Sequence, residues 1–242
     1  MLSLGPYRAR LAQTAQDMAR SQALRQQVFR AKAPPTAVAG DADAFDSRCL
    51  HVLIEGAGAD LLCCYRLLPL AGGATILSSY SAQFYDLTRL TDFAGPMLEL
   101  GRFCLNPAVH DPDVLRIAWA AMTRIVDDRG IRLLFGCSSF VGADPAPHAE
   151  ALAYLARHHL APDEWSPGVK NSNAVAMTAK DVPRRALLGV PPLLRTYLRM
   201  GGWVSNHAVP DLELDTLHVF TGVEIDHIPA ARARALRAMA SA

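Results

Sequence analysis

The stretch Met97–Pro107 reads MLELGRFCLNP, an apolar strand pattern that carries Glu99 and Arg102. A charge inside such a strand costs several kcal/mol unless it is paired, hydrated or used in chemistry. Residues three apart on a regular strand point to opposite faces. A bulge at Gly101 would reverse that parity and bring Glu99 and Arg102 onto one face. It would also turn a backbone N–H toward that face as an oxyanion donor. The spacing equally fits an edge-strand salt bridge facing solvent.

Other residues that could do chemistry are scattered. DADAFD carries Asp41, Asp43 and Asp46, but lacks the glycine and distal glutamate of a calcium loop. Arg25 falls on a partly apolar helical stripe with Met18, Gln22 and Phe29, and Arg66 interrupts the apolar run DLLCCYRLLPL. His51, His110, His158 and His159 have no zinc-binding spacing, so no metal is expected. Cys104 and Cys137 read as small hydrophobes, because no general base is visibly placed beside either.

These residues sit in a chain of 242, of which 51% are hydrophobic and 19% charged, enough to bury a sizeable core. With 24 basic and 23 acidic residues, the balance argues against a general nucleic-acid binder. Five cysteines without a CxxC pair suggest reduced thiols and a cytoplasmic setting. The N-terminus lacks a signal-peptide core, and the most apolar stretch, Leu61–Leu77, is broken by Arg66, Pro69, Gly72 and Gly73.

The elements that must position the charged residues follow from local signals. Tyr7, Ala9 and Leu11 alternate with arginines as a strand, and Thr14 with Asp17 caps a helix over about 15–30. CLHVLIE and DLLCCYRLLPL, joined by GAGA, predict a hairpin. ATILSSYSAQFYDL is ambiguous, and TRLTDFAGP reads as a short helix. Asp111-Pro112 starts a helix to about Arg129 that buries Leu115, Trp119, Met122 and Val126. RLLFGCSSFVG is a strand whose turn holds Ser138 and Ser139, and Asp144-Pro145 starts a helix to about His158. Trp165–Arg185 reads as loop, PPLLRTYLRMGGW as a short helix, TLHVFTGVEI as a strand and PAARARALRAMA as a terminal helix. The mixture predicts a single α/β (α+β) domain over residues 1–242.

The ordered features LRQQVF, DADAFD, CYRLL and LELGRFCLNP resemble the acyl-homoserine-lactone synthase branch of the GNAT-like acyltransferases. FDSRCLH, SSYSAQFYDLTRL, GPMLELGRFC, FGCSSFVGADP and PPLLRTYLRMGGW are more closely similar to the ornithine N-alpha-acyltransferases of ornithine-lipid biosynthesis, over about residues 24–220. The resemblance implies a twisted mixed sheet with two splayed parallel strands, those of Glu99 and Phe135, joined by the helix over 112–129. It implies transfer of a 3-hydroxyacyl group from acyl carrier protein to the alpha-amine of L-ornithine. The donor's 4'-phosphopantetheine arm would lie in the splay, with no separate cofactor. Carried over position by position, it marks Glu99 and Arg102 as catalytic candidates and Arg25, Phe29, Asp43, Asp46 and Arg66 as substrate-binding candidates. Ser138 and Ser139 are added as hydrogen-bonders of the donor arm. The synthase pattern expects a tryptophan shortly after Phe29, where this chain has Pro34 and Pro35.

Within that reading, Glu99 would take the amine proton, directly or through a water, beside Arg102. Asp43 and Asp46 would attract the cationic substrate or pair with Arg25 and Arg66, which could instead hold a carboxylate or phosphate. Coenzyme A-dependent GNAT enzymes usually carry a glycine-rich turn after the Glu99-type strand, where this chain has NPAVHDPDVLR. A carrier protein is therefore the expected donor, meeting Arg184, Arg185, Arg195, Arg199, Arg232, Arg234 or Arg237. Leu193, Leu194, Leu198 and Trp203, mixed with Arg195 and Arg199, suit either peripheral contact with the inner membrane or core packing. Two alternatives stay open: a lactone synthase or other amino-acid acyltransferase, and a silent carrier- or lipid-binding module.

Overall fold

Thr14 opens the first helix with a reciprocal cap. Its Oγ1 accepts the N–H of Asp17 at 3.1 Å, and Asp17 Oδ2 accepts the N–H of Thr14 at 3.2 Å. Arg10 then grips both Asp17 oxygens, at 2.6 and 2.9 Å, and both Glu55 oxygens, at 2.8 and 2.9 Å. The helix start is thereby fastened to two strands through one guanidinium.

The computed structural model describes residues 2–30 and 41–240. Pro34 and Pro35 lie outside the described residues. In chain order the elements begin with β1 (Leu2–Leu4), β2 (Tyr7–Leu11), α1 (Ala15–Phe29), β3 (Leu50–Glu55) and β4 (Leu61–Leu70). They continue with β5 (Tyr85–Asp86), β6 (Met97–Leu105), α2 (Pro112–Asp128), β7 (Leu133–Val141) and α3 (Ala149–His158). The last are β8 (Gly168–Val169), β9 (Val175–Ala176), α4 (Pro192–Leu198), β10 (Trp203–Asp211), β11 (Thr216–Glu224) and α5 (Ala230–Ala240).

The described residues fall into two compact units, the first taking those of Met1–Pro69, Leu100–Gly130 and Ala230–Ala242. In it β1, β2, β3 and β4 form successive antiparallel ladders. Leu24, Leu53, Cys64 and Cys104 make an apolar cluster against which Val28 and Phe29 pack. Helix α2 buries Val114, Ile117, Ala118, Ala121, Met122 and Val126, whereas Leu115 is exposed and Trp119 half-buried. The expected face is thus corrected by part of a turn. Val114, Ile117, Ala118, Ala121 and Met122 follow i, i+3, i+4, i+7, i+8 and form the wider apolar stripe.

The second unit takes Leu70–Glu99 and Ile131–Pro229. Here β7, β11 and β10 form a broad antiparallel sheet, and β9 pairs with β10. β7 also pairs in parallel with the start of β6, over Met97↔Leu133, Leu98↔Leu134 and Glu99↔Phe135. Antiparallel ladders plus one parallel pair, with helices, give the mixed α/β fold that the sequence predicts.

Four local expectations are revised. Strand β10 went unrecognised because Ser205, His207 and Pro210 break its apolar alternation. Its register shifts between Val204 and Ala208, and Ser205 bridges the shift, donating to His207 O at 2.7 Å and accepting from Phe220 N–H at 3.1 Å. Asp144-Pro145 opens only a 3₁₀ turn, Ala146–His148, before α3 begins at Ala149. Ser138 and Ser139 lie inside β7, not at its turn. Finally, of the residues named for membrane contact or core packing, Leu194, Leu198 and Trp203 are buried core residues of this unit and Leu193 is half-buried.

Candidate active site

Two polar constellations hold most of the predicted site residues. The first belongs to the first unit and is built around three aspartates. Asp41, 1% exposed, accepts from Arg25 Nε at 2.9 Å, Arg30 Nε at 2.9 Å and Arg102 Nε at 2.8 Å. Asp46 Oδ1 accepts from Arg25 Nη1 at 2.8 Å and Arg66 Nη1 at 2.6 Å, and its Oδ2 accepts from Gln22 at 3.1 Å. Asp43 accepts from Arg66 at 2.5 Å and Arg102 at 3.5 Å, and its side chain also takes the N–H of Phe45 at 2.9 Å.

Burial works against the charged forms of Asp41 and Asp46, yet the surrounding guanidiniums outweigh it and hold both below the usual carboxylate range. Arg25 is 1% exposed, and its Nη2 has no hydrogen-bond partner among the described residues. The ring of Phe29 lies 5.8 Å from the Arg102 guanidinium carbon, a cation–π contact. Arg25 and Arg66 pair with Asp46, and Arg66 also with Asp43. Asp41, absent from the predicted set, joins three of the four arginines. Its flanking composition of small and loop residues gave no sign of that role.

Arg102 joins this cluster through an unusual backbone. It adopts φ +52°, the left-handed region, inside β6. The irregularity predicted at Gly101 therefore falls one residue later, on Arg102.

The second constellation belongs to the second unit. Glu99, 4% exposed, has its carboxylate held by a turn from the segment that sequence patterning left ambiguous. Its Oε2 accepts from Tyr80 N–H at 2.8 Å, and its Oε1 accepts from Ser81 N–H at 2.7 Å and Ser81 Oγ at 2.6 Å. Ser81 Oγ also lies 3.5 Å from Cys137 Sγ on β7. The 3₁₀ turns Gly73–Ser78 and Ser81–Gln83 shape this segment. No periodicity could announce a carboxylate that binds backbone N–H groups 18 and 19 residues earlier.

Ser138 is buried and accepts from Thr221 Oγ1 at 3.0 Å, while Ser139 is exposed. Adjacent strand residues face opposite ways, so the two serines lie on opposite faces of β7.

On the same unit, Tyr85 fixes a buried histidine. Its hydroxyl donates to His218 O at 2.9 Å and lies 3.0 Å from His218 Nδ1. The hydroxyl has one hydrogen and a carbonyl can only accept, so Nδ1–H must be the donor to Tyr85 Oη. His218 Nε2 is then a bare acceptor, buried and without a partner among the described residues. Burial, with His207 nearby, lowers the His218 pKa to about 4. Burial also lowers that of His207, whose Nε2 is likewise unpartnered among the described residues. Among the described residues no group of three or more His, Cys, Asp and Glu side chains could hold a metal ion, and no helix is long and apolar enough to cross a membrane.

Comparison with known proteins gives this geometry a context. Residues 24–120 match the acetyltransferase (GNAT) domain. The L-ornithine N(alpha)-acyltransferase of Rhodobacter capsulatus is 35% identical over 227 residues, covering 88% of each chain. That of Brucella abortus is 30% identical, covering 93% of this chain and 86% of its own. Among solved structures, the acyl-homoserine-lactone synthase LasI aligns with a TM-score of 0.51 at 16% identity over 90% of both chains. FeeM, an N-acyl amino acid synthase from uncultured soil microbes, aligns at 0.54 with 8% identity, covering 91% of this chain and 92% of its own. MesI, a CoA-dependent acyl-homoserine lactone synthase, aligns at 0.51 with 12% identity, covering 97% and 96%. These three establish a common fold. The identity and coverage of the first two relatives establish more: the chain belongs to the L-ornithine N(alpha)-acyltransferase family, acyltransferases with a GNAT fold.

Proposed function

We propose that this chain moves a 3-hydroxyacyl group from acyl carrier protein to the alpha-amine of L-ornithine, giving lyso-ornithine lipid. The observation that carries the reading is the Rhodobacter capsulatus relative, aligned over 88% of both chains and named for that amine of that amino acid. In the reaction a C–N bond forms and the thioester C–S bond breaks. One proton leaves the nitrogen and one ends on the departing thiol.

Glu99 remains the carboxylate around which we build the chemistry, but its surroundings refine its role. A direct base offers a lone pair to the amine. Three accepted bonds already occupy the Glu99 oxygens. These bonds orient Glu99 for taking the amine proton, directly or through a water.

The carrier-protein donor is supported by the start of α2. A free helix N-terminus is a ready site for pyrophosphate. Here Asp111 caps it, accepting Asp113 N–H at 2.9 Å and the Tyr7 hydroxyl at 2.6 Å. A second anion would meet that charge. MesI uses coenzyme A on the same fold, so the fold does not choose the donor; the self-capped helix favours one without a pyrophosphate. Arg184, Arg185 and Arg199 are exposed and suit an acidic carrier surface. Arg237 suits it less, because Asp127 takes it through two bonds of 2.9 Å. The same reading sets the chain in the cytoplasm, with peripheral contact at the inner membrane where its product belongs.

The test is turnover of purified protein with one 3-hydroxyacyl chain presented on carrier protein and on coenzyme A, with L-ornithine as acceptor. A carrier-bound specificity constant at least tenfold higher supports the donor assignment, and equal constants overturn it. No ornithine amide from either donor overturns the acceptor.

A further inference from the structure

Two imidazoles buried in the second unit each leave a nitrogen unused. His218 and His207 are both 2% exposed. The Nδ1–H of His218 donates to Tyr85 Oη at 3.0 Å, and the Tyr85 hydroxyl donates to His218 O at 2.9 Å. His218 Nε2 therefore carries a lone pair and no hydrogen, and it has no hydrogen-bond partner among the described residues. His207 on β10 repeats the pattern. Its Nδ1 lies 2.8 Å from Asn206 Oδ1, an acceptor, so its Nε2 is bare as well. Both rings lean on Tyr85, at centroid distances of 5.6 and 5.2 Å. A buried acceptor without a donor is costly, and a ligand that brings the hydrogen recovers that cost.

His218 shares a sheet face with Glu99. Glu99 pairs with Phe135 in the parallel ladder, and Cys137 and Ser139 follow on the same face of β7. On β11, Phe220 stands opposite Cys137 and His218 opposite Ser139. Along this face β7 passes from buried Phe135 to half-buried Cys137 to exposed Ser139, so the face opens beside His218. One short segment also serves both groups. The N–H groups of Tyr80 and Ser81 hold the Glu99 carboxylate, and Phe84 and Tyr85, just after that turn, hold His218. The Tyr80 and Phe84 rings lie 5.3 Å apart, and the Phe84 and His218 rings 4.8 Å. An amine near Glu99, the thioester carbonyl it attacks and the two carbons leading to a 3-hydroxyl span such a distance. His207 lies one strand farther off, because the order runs β6, β7, β11, β10.

Resting on the acyltransferase reading above, we propose that His218 Nε2 accepts the hydrogen of the acyl group's 3-hydroxyl and so selects 3-hydroxyacyl donors. A neutral donor suits the surroundings. Phe84, Tyr85 and His207 stand around His218, and none is a carboxylate, so an ammonium there would be a buried charge without a partner. An unsubstituted chain leaves the lone pair unmet. A 3-oxo chain sets a second acceptor against it, with no hydrogen between the two. The order of preference is therefore 3-hydroxy, then unsubstituted, then 3-oxo. Tyr85 is a positioning residue, because its bonds fix the tautomer that leaves Nε2 bare. Nε2 is covered in the structure, so the hydroxyl enters as a side chain gives way. Phe84 is half-buried and meets the His218 ring edge-on, whereas Tyr85 and Phe220 are fully buried, so Phe84 is the neighbour with room to move.

The experiment has two arms. The first measures specificity constants for 3-hydroxydecanoyl, decanoyl and 3-oxodecanoyl groups on carrier protein, with L-ornithine as acceptor. Wild-type protein should favour the 3-hydroxy chain over the unsubstituted one at least tenfold, with the 3-oxo chain lowest. His218→Phe keeps an aromatic ring but removes the acceptor, and should bring that preference below threefold. His218→Gln, whose amide oxygen can accept, should restore part of it. A wild-type preference below threefold overturns the proposal, as does a His218→Phe preference still above tenfold. The second arm needs no turnover. Nitrogen NMR of the histidine rings is recorded on wild-type protein alone, with 3-hydroxydecanoyl-pantetheine and with decanoyl-pantetheine. The free protein should show His218 with its hydrogen on Nδ1, and only the hydroxylated probe should shift the Nε2 resonance. No shift, or the same shift with both probes, overturns the proposal. A hydroxyl-dependent shift in a protein that makes no ornithine amide leaves hydroxyl recognition standing and overturns the ornithine acceptor instead, so the two failures are distinguishable.

Discussion

Asp41 and Arg102 meet through a 2.8 Å hydrogen bond between a carboxylate that is 1% exposed and a guanidinium on a strand residue in the left-handed conformation. This bond ties Arg102, a catalytic candidate, to the aspartate cluster. The same Asp41 carboxylate neutralises buried Arg25. Asp41→Ala should therefore destabilise the protein by about 3–5 kcal/mol, the usual consequence of stranding a buried charge. Urea unfolding checks this, and an unchanged midpoint would remove Asp41 from the network.

The backbone of Arg102 supplies an independent test. An alanine there keeps the strained φ of +52°, whereas a glycine adopts it freely. Arg102→Gly should be more stable than Arg102→Ala by about 1 kcal/mol, although both lose the bonds to Asp41 and Asp43. Thermal melts of the two variants side by side measure the difference.

For Glu99→Gln, the amide oxygen can accept but the amide nitrogen cannot, so Tyr80 N–H, Ser81 N–H and Ser81 O–H can no longer all be satisfied. Turnover should fall by about 10²-fold or more. Stability should fall by about 1–3 kcal/mol from the stranded donors. Steady-state rates and melting of one preparation check both parts.

Acid should weaken the fold earlier than its carboxylates alone would. The His218 pKa is about 4 in the folded chain, against 6.5 ordinarily. The unfolded chain thus binds the proton more readily, and stability falls as pH drops from about 6.5 toward 4, by about 3 kcal/mol for this residue. Burial lowers His51, His159 and His207 too, adding to the same slope. Asp17, Asp41 and Asp46 are held low by their arginine partners, and their contribution is lost only at lower pH, below about 4. The urea midpoint should fall between pH 6.5 and 5, and His218→Gln should flatten that fall.

What the sequence made legible was local or periodic. Thr14 and Asp17 cap a helix because their partners lie three residues apart, and Asp111-Pro112 starts α2 for the same kind of reason. Glu99 stood out because a charge in an apolar strand demands an explanation. The explanation itself was not legible, because Tyr80 and Ser81 reach Glu99 across an irregular pair of 3₁₀ turns with no repeating pattern. Asp41 was missed because a loop aspartate looks solvated until the fold gathers three guanidiniums around it. The leucines of α4 carried a true apolar signal that composition alone could not assign to core or membrane.

The central claim concerns what the chain makes, and the most direct measurement is mass spectrometry of lipids from a host that lacks ornithine lipids and expresses this chain. A new 3-hydroxyacyl amide on the alpha-amine of ornithine, absent from cells expressing Glu99→Gln, is the predicted result. Long-chain acyl-homoserine lactone in its place, or an unchanged lipid profile despite soluble expression, would contradict it.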